Sequence, residues 1–400
     1  MIVSQRLRNM QESPIRKLTP VAEAAKKRGI KVYHLNVGQP DIETPEGFMT
    51  AVRNFDEKTL TYALSEGSNE LIQAVIDYYK NYNMYFEKNQ VLITIGGSEA
   101  LMFALIGVTD FGEEVLAPEP FYTNYNGFST PIGTVIKPIT TFAENGFMLP
   151  SKEEIVKLIG PKTRGILLSN PGNPTGAVYT KAEVEMIGEI AKENDLYIIA
   201  DEVYREFRYD NLEYNSFGSL KDVEDRVIIV DSISKRYSAC GARIGSILCK
   251  NNEFMASIIK LCQVRASAPT LEMLGAVELY KTPESYLKEV NEEYQKRRDI
   301  TYNALMEIPG IVCKLPRGAF YVIAKLPVPN AEEFIIWMLG EYNLDGETVM
   351  LAPVADFYAT KGLGLDEARI AYVLKGEDLK KAIGILKKGL EAYKLLLANK

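Results

Sequence analysis

Between residues 90 and 250 the chain repeats one pattern: a short run of consecutive apolar residues, a loop, then a helical stretch. The runs are Gln90–Ile95, Glu114–Ala117, Gly165–Ser169, Leu196–Ala200 and Val227–Val230. They do not alternate apolar with polar residues, as a strand with one wet face would. A strand that is apolar on both faces must be covered on both. Strands alternating with helices meet that demand as a parallel sheet with helices packed on each side. The pattern predicts an α/β fold with its ligand site beyond the C-terminal ends of the strands. Gly97, Tyr122, Asn173, Asp201 and Lys235 all fall at such ends.

A chain of 400 residues exceeds what one hydrophobic core usually carries, so a second unit is expected. The pattern changes after Lys281. Thr282-Pro283-Glu284 starts a long charged helix reaching about Met306, marked on one face by Leu287, Val290 and Tyr294. Strands at 318–324, 348–352 and 369–373 follow, and Leu379, Ile383, Leu386, Leu390 and Tyr393 stripe a closing helix. Near the start, a helix opens at Pro20, and Val32–Val37 alternates like a strand before the Gly38-Gln39-Pro40-Asp41 loop. The expected division is 1–45 as an N-terminal arm and part of a small domain, 46–282 as a large mostly parallel α/β domain, and 283–400 as a spine helix and the rest of a small α+β domain.

With 46 Lys+Arg against 53 Asp+Glu, the net charge of −7 disfavours nucleic acid or an anionic membrane as partner. No run reaches the ~18 apolar residues of a membrane span. Cys240, Cys249, Cys262 and Cys313 have neither the close pairing of a zinc site nor the density of a disulfide framework, so reduced thiols and a cytoplasmic location are expected, with no metal. His34 is the one histidine, which leaves little room for histidine-based catalysis.

Each strand end carries a group suited to a bound small molecule. Gly96-Gly97-Ser98-Glu99-Ala100, between a strand and an apolar helix, aims backbone N–H groups and the positive end of a helix at one point, which suits phosphate. It lacks the third glycine of a dinucleotide fingerprint and the Gly-Lys-Ser/Thr of a P-loop. Asp201 ends an apolar strand, where an ionised carboxylate needs a cation; a helix N-cap is the alternative. Tyr122 can stack on a planar ring or fill the core. The Asn-Pro steps at 170–174 force turns and leave the asparagine amides to donate elsewhere. Gly38 lets a ligand approach the backbone, or serves only a turn. Lys235 follows Ser232 and Ser234 and stands eight residues before Arg243. That arrangement suits an amine held beside a phosphate, as a Schiff-base lysine of pyridoxal phosphate is held; an isolated lysine is a surface charge.

Asn-Pro-Gly-Asn-Pro-Thr-Gly at 170–176, Asp201-Glu202-Val203-Tyr204, and Ser232-Ile233-Ser234-Lys235 with Gly241-Ala242-Arg243-Ile244-Gly245 occur in that order. Together they resemble the class I/II aminotransferases of the fold-type I pyridoxal-phosphate enzymes, with the pattern of bacterial aspartate aminotransferases, from Gly38 to Arg369. The resemblance implies that Lys235 joins the aldehyde of pyridoxal 5′-phosphate and, once released, moves the substrate Cα proton. It implies that Asp201 keeps the ring nitrogen protonated, that Tyr204 and Asn173 bond the ring's phenolic oxygen, and that Tyr122 stacks on the ring. Arg243, Ser232 and the Gly97-Ser98 backbone would clamp the phosphate. Arg369 would bind the substrate α-carboxylate beside Asn173 and the Gly38 backbone; without the family it reads as a surface strand arginine. Tyr62 would reach the phosphate of a neighbouring subunit, making the unit a homodimer.

Two positions bear on the substrate. Some aspartate-using relatives carry, at the place of Ser98, a lysine that pairs with the side-chain carboxylate, and serine cannot do so. Arg265 lies near where other aspartate aminotransferases supply an arginine from the partner subunit, and it either takes that role or is an ordinary surface arginine. The expected activity is amino-group transfer between an L-amino acid, aspartate first, and 2-oxoglutarate. Alanine, aromatic amino acids and kynurenine are alternative substrates, and a C–S β-lyase would use the same lysine and aspartate. A non-catalytic regulator on this fold would need a DNA-binding segment, which the short N-terminal arm of a net acidic chain does not offer.

Overall fold

Strands in the computed structural model, which describes residues 2–399, divide into one large sheet and two small ones. β1 (Lys31–His34) stands apart near the start. The large sheet holds β2 (Val91–Ile95), β3 (Glu114–Glu119), β4 (Val135–Thr140), β5 (Thr163–Ser169), β6 (Tyr197–Asp201), β7 (Val227–Ser232) and β8 (Ile244–Cys249), in the order β2-β8-β7-β6-β5-β3-β4. β4, β3, β5, β6 and β7 pair in parallel, and β8 runs antiparallel to both of its neighbours, β7 and β2.

Both faces of this sheet are dry. Ile93, Ile166, Leu168, Ile198, Ala200 and Ile229 pack into one core, and the residues between them, Leu92, Leu167, Ile199, Ile228 and Val230, into another on the opposite face. Period-two alternation of side chains explains why unbroken apolar runs are needed, and each buried Ile, Leu or Val contributes roughly 1.5–3 kcal/mol. Two strands fall outside the sequence expectation. β4 contains Lys137 and Pro138, and a proline is tolerated there because β4 is the sheet's edge. In β8 the apolar run is interrupted by Gly245 and Ser246, yet every residue is buried.

The smaller unit is built from both ends of the chain. β9 (Tyr321–Lys325), β10 (Glu347–Met350), β11 (Ala352–Pro353) and β12 (Glu367–Ala371) follow the helix Glu284–Met306. β1 pairs in parallel with β10, and β11-β12-β9 form an antiparallel sheet. The strand expected over 32–37 stops at His34, and the residues after it turn into the space between the two units.

Specific contacts fix the units together. The buried Glu119, at the end of β3, accepts hydrogen bonds from the backbone N–H of Ala359 (2.7 Å) and Thr360 (2.9 Å) and from the Thr140 hydroxyl (2.8 Å). Arg297 of the long helix donates to Asp41 (2.6 Å) and to the Val373 carbonyl (2.5 Å), which anchors the loop that carries Gly38. A cleft of about 400 Å³ lies between the strand ends of the large sheet and the small unit.

Candidate active site

The inner end of the cleft is built for an anion. β2 runs directly into the helix Gly96–Val108, whose N-cap position, Ile95, offers no side-chain acceptor to the first N–H groups. Arg243 reaches the same point because β8 is reversed: its N-terminal end pairs with the C-terminal ends of β2 and β7. Its Nη1 donates to the Cys240 carbonyl at 3.0 Å. Gly96 has φ +68°, and a Cβ placed there would stand 2.4 Å from Arg243 Nη2, so the guanidinium lies over a bare backbone. Gly97 and Ser98 line the cleft beside it. A helix N-terminus and a guanidinium at one point suit a phosphate. Gly96→Ala is therefore expected to weaken cofactor binding by at least about tenfold, the scale of one charge-assisted hydrogen bond, without unfolding the chain. Titration of the cofactor-free protein, followed by absorbance, measures this; unchanged affinity would remove the guanidinium from the phosphate site.

Lys235 sits on a one-turn helix, Ile233–Arg236, at the end of β7. The Ser232 hydroxyl accepts from the Ser234 N–H (3.1 Å) and donates to the Ile244 carbonyl (2.9 Å), bolting this turn to β8. Behind it the fully buried Asp231 and Arg236 pair, and the Tyr79 hydroxyl donates to Asp231 at 3.0 Å. Lys235 Nζ donates to the Gly38 carbonyl at 2.9 Å. A Cβ on Gly38 would fall 1.8 Å from the Tyr321 hydroxyl, so this close passage of the loop requires glycine.

Asp201 is buried at the end of β6, in register with Ser169 and Val230. The Tyr125 hydroxyl donates to Oδ2 at 2.9 Å, and Oδ1 is buried without a hydrogen-bond partner. Burial pushes its pKa up to about 6, against the opposing pull of the Tyr125 hydroxyl. At neutral pH an ionised, half-satisfied carboxylate thus faces the cleft and calls for a cation. The Tyr204 and Tyr321 hydroxyls lie 2.8 Å apart on the facing wall, and burial raises the Tyr204 pKa well above the usual range. Tyr122 lines the cleft too, its hydroxyl accepting from Asn124 at 2.8 Å.

Arg369, expected on a surface when read alone, is 1% exposed in β12. Nη1 donates to Asn173 Oδ1 (3.0 Å), Nη2 to the Asn36 carbonyl (2.6 Å), and the buried Nε has no partner. Burial pushes its pKa down, and among the described residues it forms no salt bridge. Such a cation is suited to an incoming carboxylate. Asn170, by contrast, spends its amide away from the cleft, donating to the Asn215 carbonyl and accepting from the Tyr179 N–H.

Two of the expected residues lie outside this cleft. Tyr62 is 86% exposed on the loop before the helix Asn69–Lys80. Arg265, at the end of the helix Asn252–Arg265, donates through Nη2 to the carbonyls of Ser65 (3.0 Å) and Ile93 (3.1 Å). The expectations for both concern a neighbouring subunit. Conversely, Tyr125, Tyr321 and Asn36 were not singled out from the sequence. Tyr125 stands one helical turn after Tyr122, a faint signal; nothing local marks the other two. His34 bonds Asn36 through Nδ1 (3.3 Å) and is not part of the cleft wall.

The family model for class I and II aminotransferases matches residues 30–383. The chain is a class I/II aminotransferase. The aromatic-amino-acid aminotransferase 2 of Thermococcus litoralis is 31% identical over 405 residues, covering 99% of this chain and all of that one. Among solved structures, an alanine aminotransferase from Pyrococcus furiosus matches with a TM-score of 0.89 at 31% identity, covering 98% of this chain and 100% of that one. The aspartate aminotransferase of Thermus thermophilus, solved with maleate, matches with a TM-score of 0.87 at 25% identity, covering 97% and 100%.

Aminotransferases of this family depend on pyridoxal 5′-phosphate, and the aminotransferase's cleft fits that group. Asp201, with its unpaired buried oxygen, would meet the protonated ring nitrogen. Arg243 and the Gly96–Ser98 backbone would hold the phosphate over the space that Gly96 leaves bare. Tyr122 and Tyr204 would flank the ring, and Lys235 is the amine within the cleft. When bound, the cofactor supplies a ring that withdraws the charge left as the substrate Cα proton departs. Among the described residues no cluster could hold a metal ion.

Proposed function

We propose that this aminotransferase exchanges the amino group of an L-dicarboxylic amino acid, aspartate first, with 2-oxoglutarate, and that it does so as a homodimer. The observation that carries amino-group exchange with an α-amino acid is Arg369: a buried guanidinium, lacking a carboxylate partner among the described residues and opening onto the cleft that holds Lys235. It orients an amino acid by its α-carboxylate, which brings the Cα proton toward Lys235 Nζ. The amine then carries that proton, and no histidine is needed. The maleate bound by the Thermus thermophilus aspartate aminotransferase is a dicarboxylate, which supports the preference for aspartate.

The dimer is supported by exposed apolar side chains. Leu60, Tyr62, Leu64 and Val264 are exposed on two segments tied to each other by the Arg265–Ser65 and Thr270–Thr61 hydrogen bonds. A surface of this kind calls for a cover, and a second copy supplies one while bringing Tyr62 to the partner's phosphate. Four unpaired cysteines fit a reducing compartment, the cytoplasm.

A second reading, an aromatic or alanine aminotransferase, is favoured by Ser98 in the cleft wall, which brings no charge to a side-chain carboxylate, and by relatives so named. Single-turnover conversion of the bound cofactor, followed by absorbance with aspartate, glutamate, alanine, phenylalanine, kynurenine and cystathionine, separates the readings. The expected order places aspartate and glutamate at least tenfold above the rest in rate per unit concentration. Faster turnover of alanine or phenylalanine would replace aspartate, and pyruvate release from cystathionine without a 2-oxo acid would replace transfer by elimination.

A further inference from the structure

Four cationic side chains line the cleft: Arg16, Lys235, Arg243 and Arg369, against a single acid, Asp201. The cofactor accounts for Lys235 and Arg243, and the substrate's α-carboxylate for Arg369. Arg16 is left over. We propose that Arg16 binds the second, side-chain carboxylate of a dicarboxylic substrate, so that the chain's own N-terminal segment sets substrate class. This rests on the dicarboxylate reading above and assigns its recognition to a residue of the same subunit.

Arg16 is exposed at the mouth, and among the described residues no carboxylate lies within salt-bridge distance of it. An exposed arginine is ordinarily a solvated charge. This one is held by backbone contacts that lead straight to the α-carboxylate site. Arg16 N donates to the Ser13 carbonyl at 2.9 Å, forming a tight turn. The neighbouring Ile15 carbonyl accepts from Asn36 Nδ2 at 3.0 Å, and the carbonyl of the same Asn36 accepts from Arg369 Nη2 at 2.6 Å. On its other side Lys17 is clamped between Glu332 (2.5 Å) and Asp356 (2.6 Å). Those two acids are thereby occupied by Lys17, and the Arg16 guanidinium keeps its donors for the cleft. One asparagine thus couples the backbone beside Arg16 to the guanidinium of Arg369. Two arginines set by one residue, one buried and one at the mouth, suit a ligand with a carboxylate at each end. Ile15 and Val37, which line the mouth beside Arg16, offer only apolar contact to a monocarboxylic substrate.

The test compares wild-type holoenzyme with Arg16→Gln and Arg16→Lys. For aspartate, glutamate and 2-oxoglutarate, Arg16→Gln is expected to lower kcat/KM about 30- to 100-fold, the scale of a lost charge-assisted hydrogen-bond pair, while alanine changes less than threefold. Arg16→Lys should recover part of the loss. Calorimetric binding of glutarate against butyrate to the holoenzyme supplies a readout independent of turnover: glutarate should bind tighter in wild type, and Arg16→Gln should abolish the difference. Wild-type preference for alanine or phenylalanine in turnover would overturn the substrate reading, and calorimetry would still judge Arg16. Equal glutarate affinity in wild type and Arg16→Gln, or the dicarboxylate loss appearing in Arg265→Gln instead, would overturn the proposal.

Discussion

Lys235→Ala will slow amino-group exchange by at least about 10,000-fold while the cofactor remains in the cleft. In the role proposed for Lys235, covalent attachment and proton carriage both pass through this one amine, and proton transfer by a positioned side chain alone is worth roughly 100- to 10,000-fold. No other side chain in the wall can take over. His34 is turned to Asn36. The Cys240 thiol, 3.8 Å from Nζ, donates to the Ser234 carbonyl at 3.1 Å. The hydroxyls of Tyr204 and Tyr321 are bonded to each other, and burial makes Tyr204 harder to ionise. Cofactor binding should survive because the proposed holders of the group, Arg243, the Gly96–Ser98 backbone and Asp201, are untouched. Two controls sharpen the result: Lys235→Arg keeps the charge but offers no nucleophilic amine and should be equally slow, whereas added methylamine should restore part of the rate in Lys235→Ala by entering the vacated space. Single-turnover absorbance with aspartate measures all three, and cycling of the alanine variant at the wild-type rate would refute the assignment.

How Lys235 came to be readable, and its neighbours not, follows from the range of the interactions. Lys235, Asp201, Asn173 and Tyr122 each follow a strand whose unbroken apolar run is dictated by burial on both faces. Strand ends are local facts, and one physical rule gathers them at a single sheet edge. Arg243 joins them for a different reason: β8 is reversed, and its run is broken by Gly245 and Ser246, so no strand end marks it and its place is legible only from its spacing to Lys235 and from family resemblance. Contacts between distant segments left no local trace. Tyr125 reaches Asp201 across 76 positions and Tyr321 reaches Tyr204 across 117. The burial of Arg369 depends on the Asn36 carbonyl 333 positions away. A strand arginine looks the same in sequence whether its face meets water or a second domain. For the same reason nothing in the sequence of the N-terminal arm marks Arg16; the turn at Ser13 and the Ile15–Asn36 bond set it in the cleft wall.

Asp201→Asn should have two opposite effects: amino-group exchange falls by about 1,000-fold, and the cofactor-free protein becomes more stable at pH 8 than wild type. The first effect follows because asparagine cannot keep the ring nitrogen protonated, and the electrostatic sink for the Cα electrons is then lost. The second follows from linkage. The folded protein raises the Asp201 pKa from 3.8 to about 6, chiefly by burial, so the fold prefers the protonated acid. Relative to the unfolded chain, that preference is fully present below pH 4 and is lost as pH rises through 6. Above that, holding the ionised group in place costs the empty protein at most about 3 kcal/mol. Asparagine keeps an oxygen for the Tyr125 hydroxyl and carries no charge to bury. The thermal midpoints of wild-type and Asp201→Asn cofactor-free proteins should therefore coincide near pH 4 and separate, with the variant higher, between pH 5 and 8. Added pyridoxal phosphate should close the gap, because the ring nitrogen gives wild-type Asp201 the cation that its Oδ1 lacks. A variant equally destabilised at pH 4 and pH 8 would mean that the carboxylate serves packing alone. The predicted pattern would instead show that this strand end is held ionised against its own stability, for the sake of what binds there.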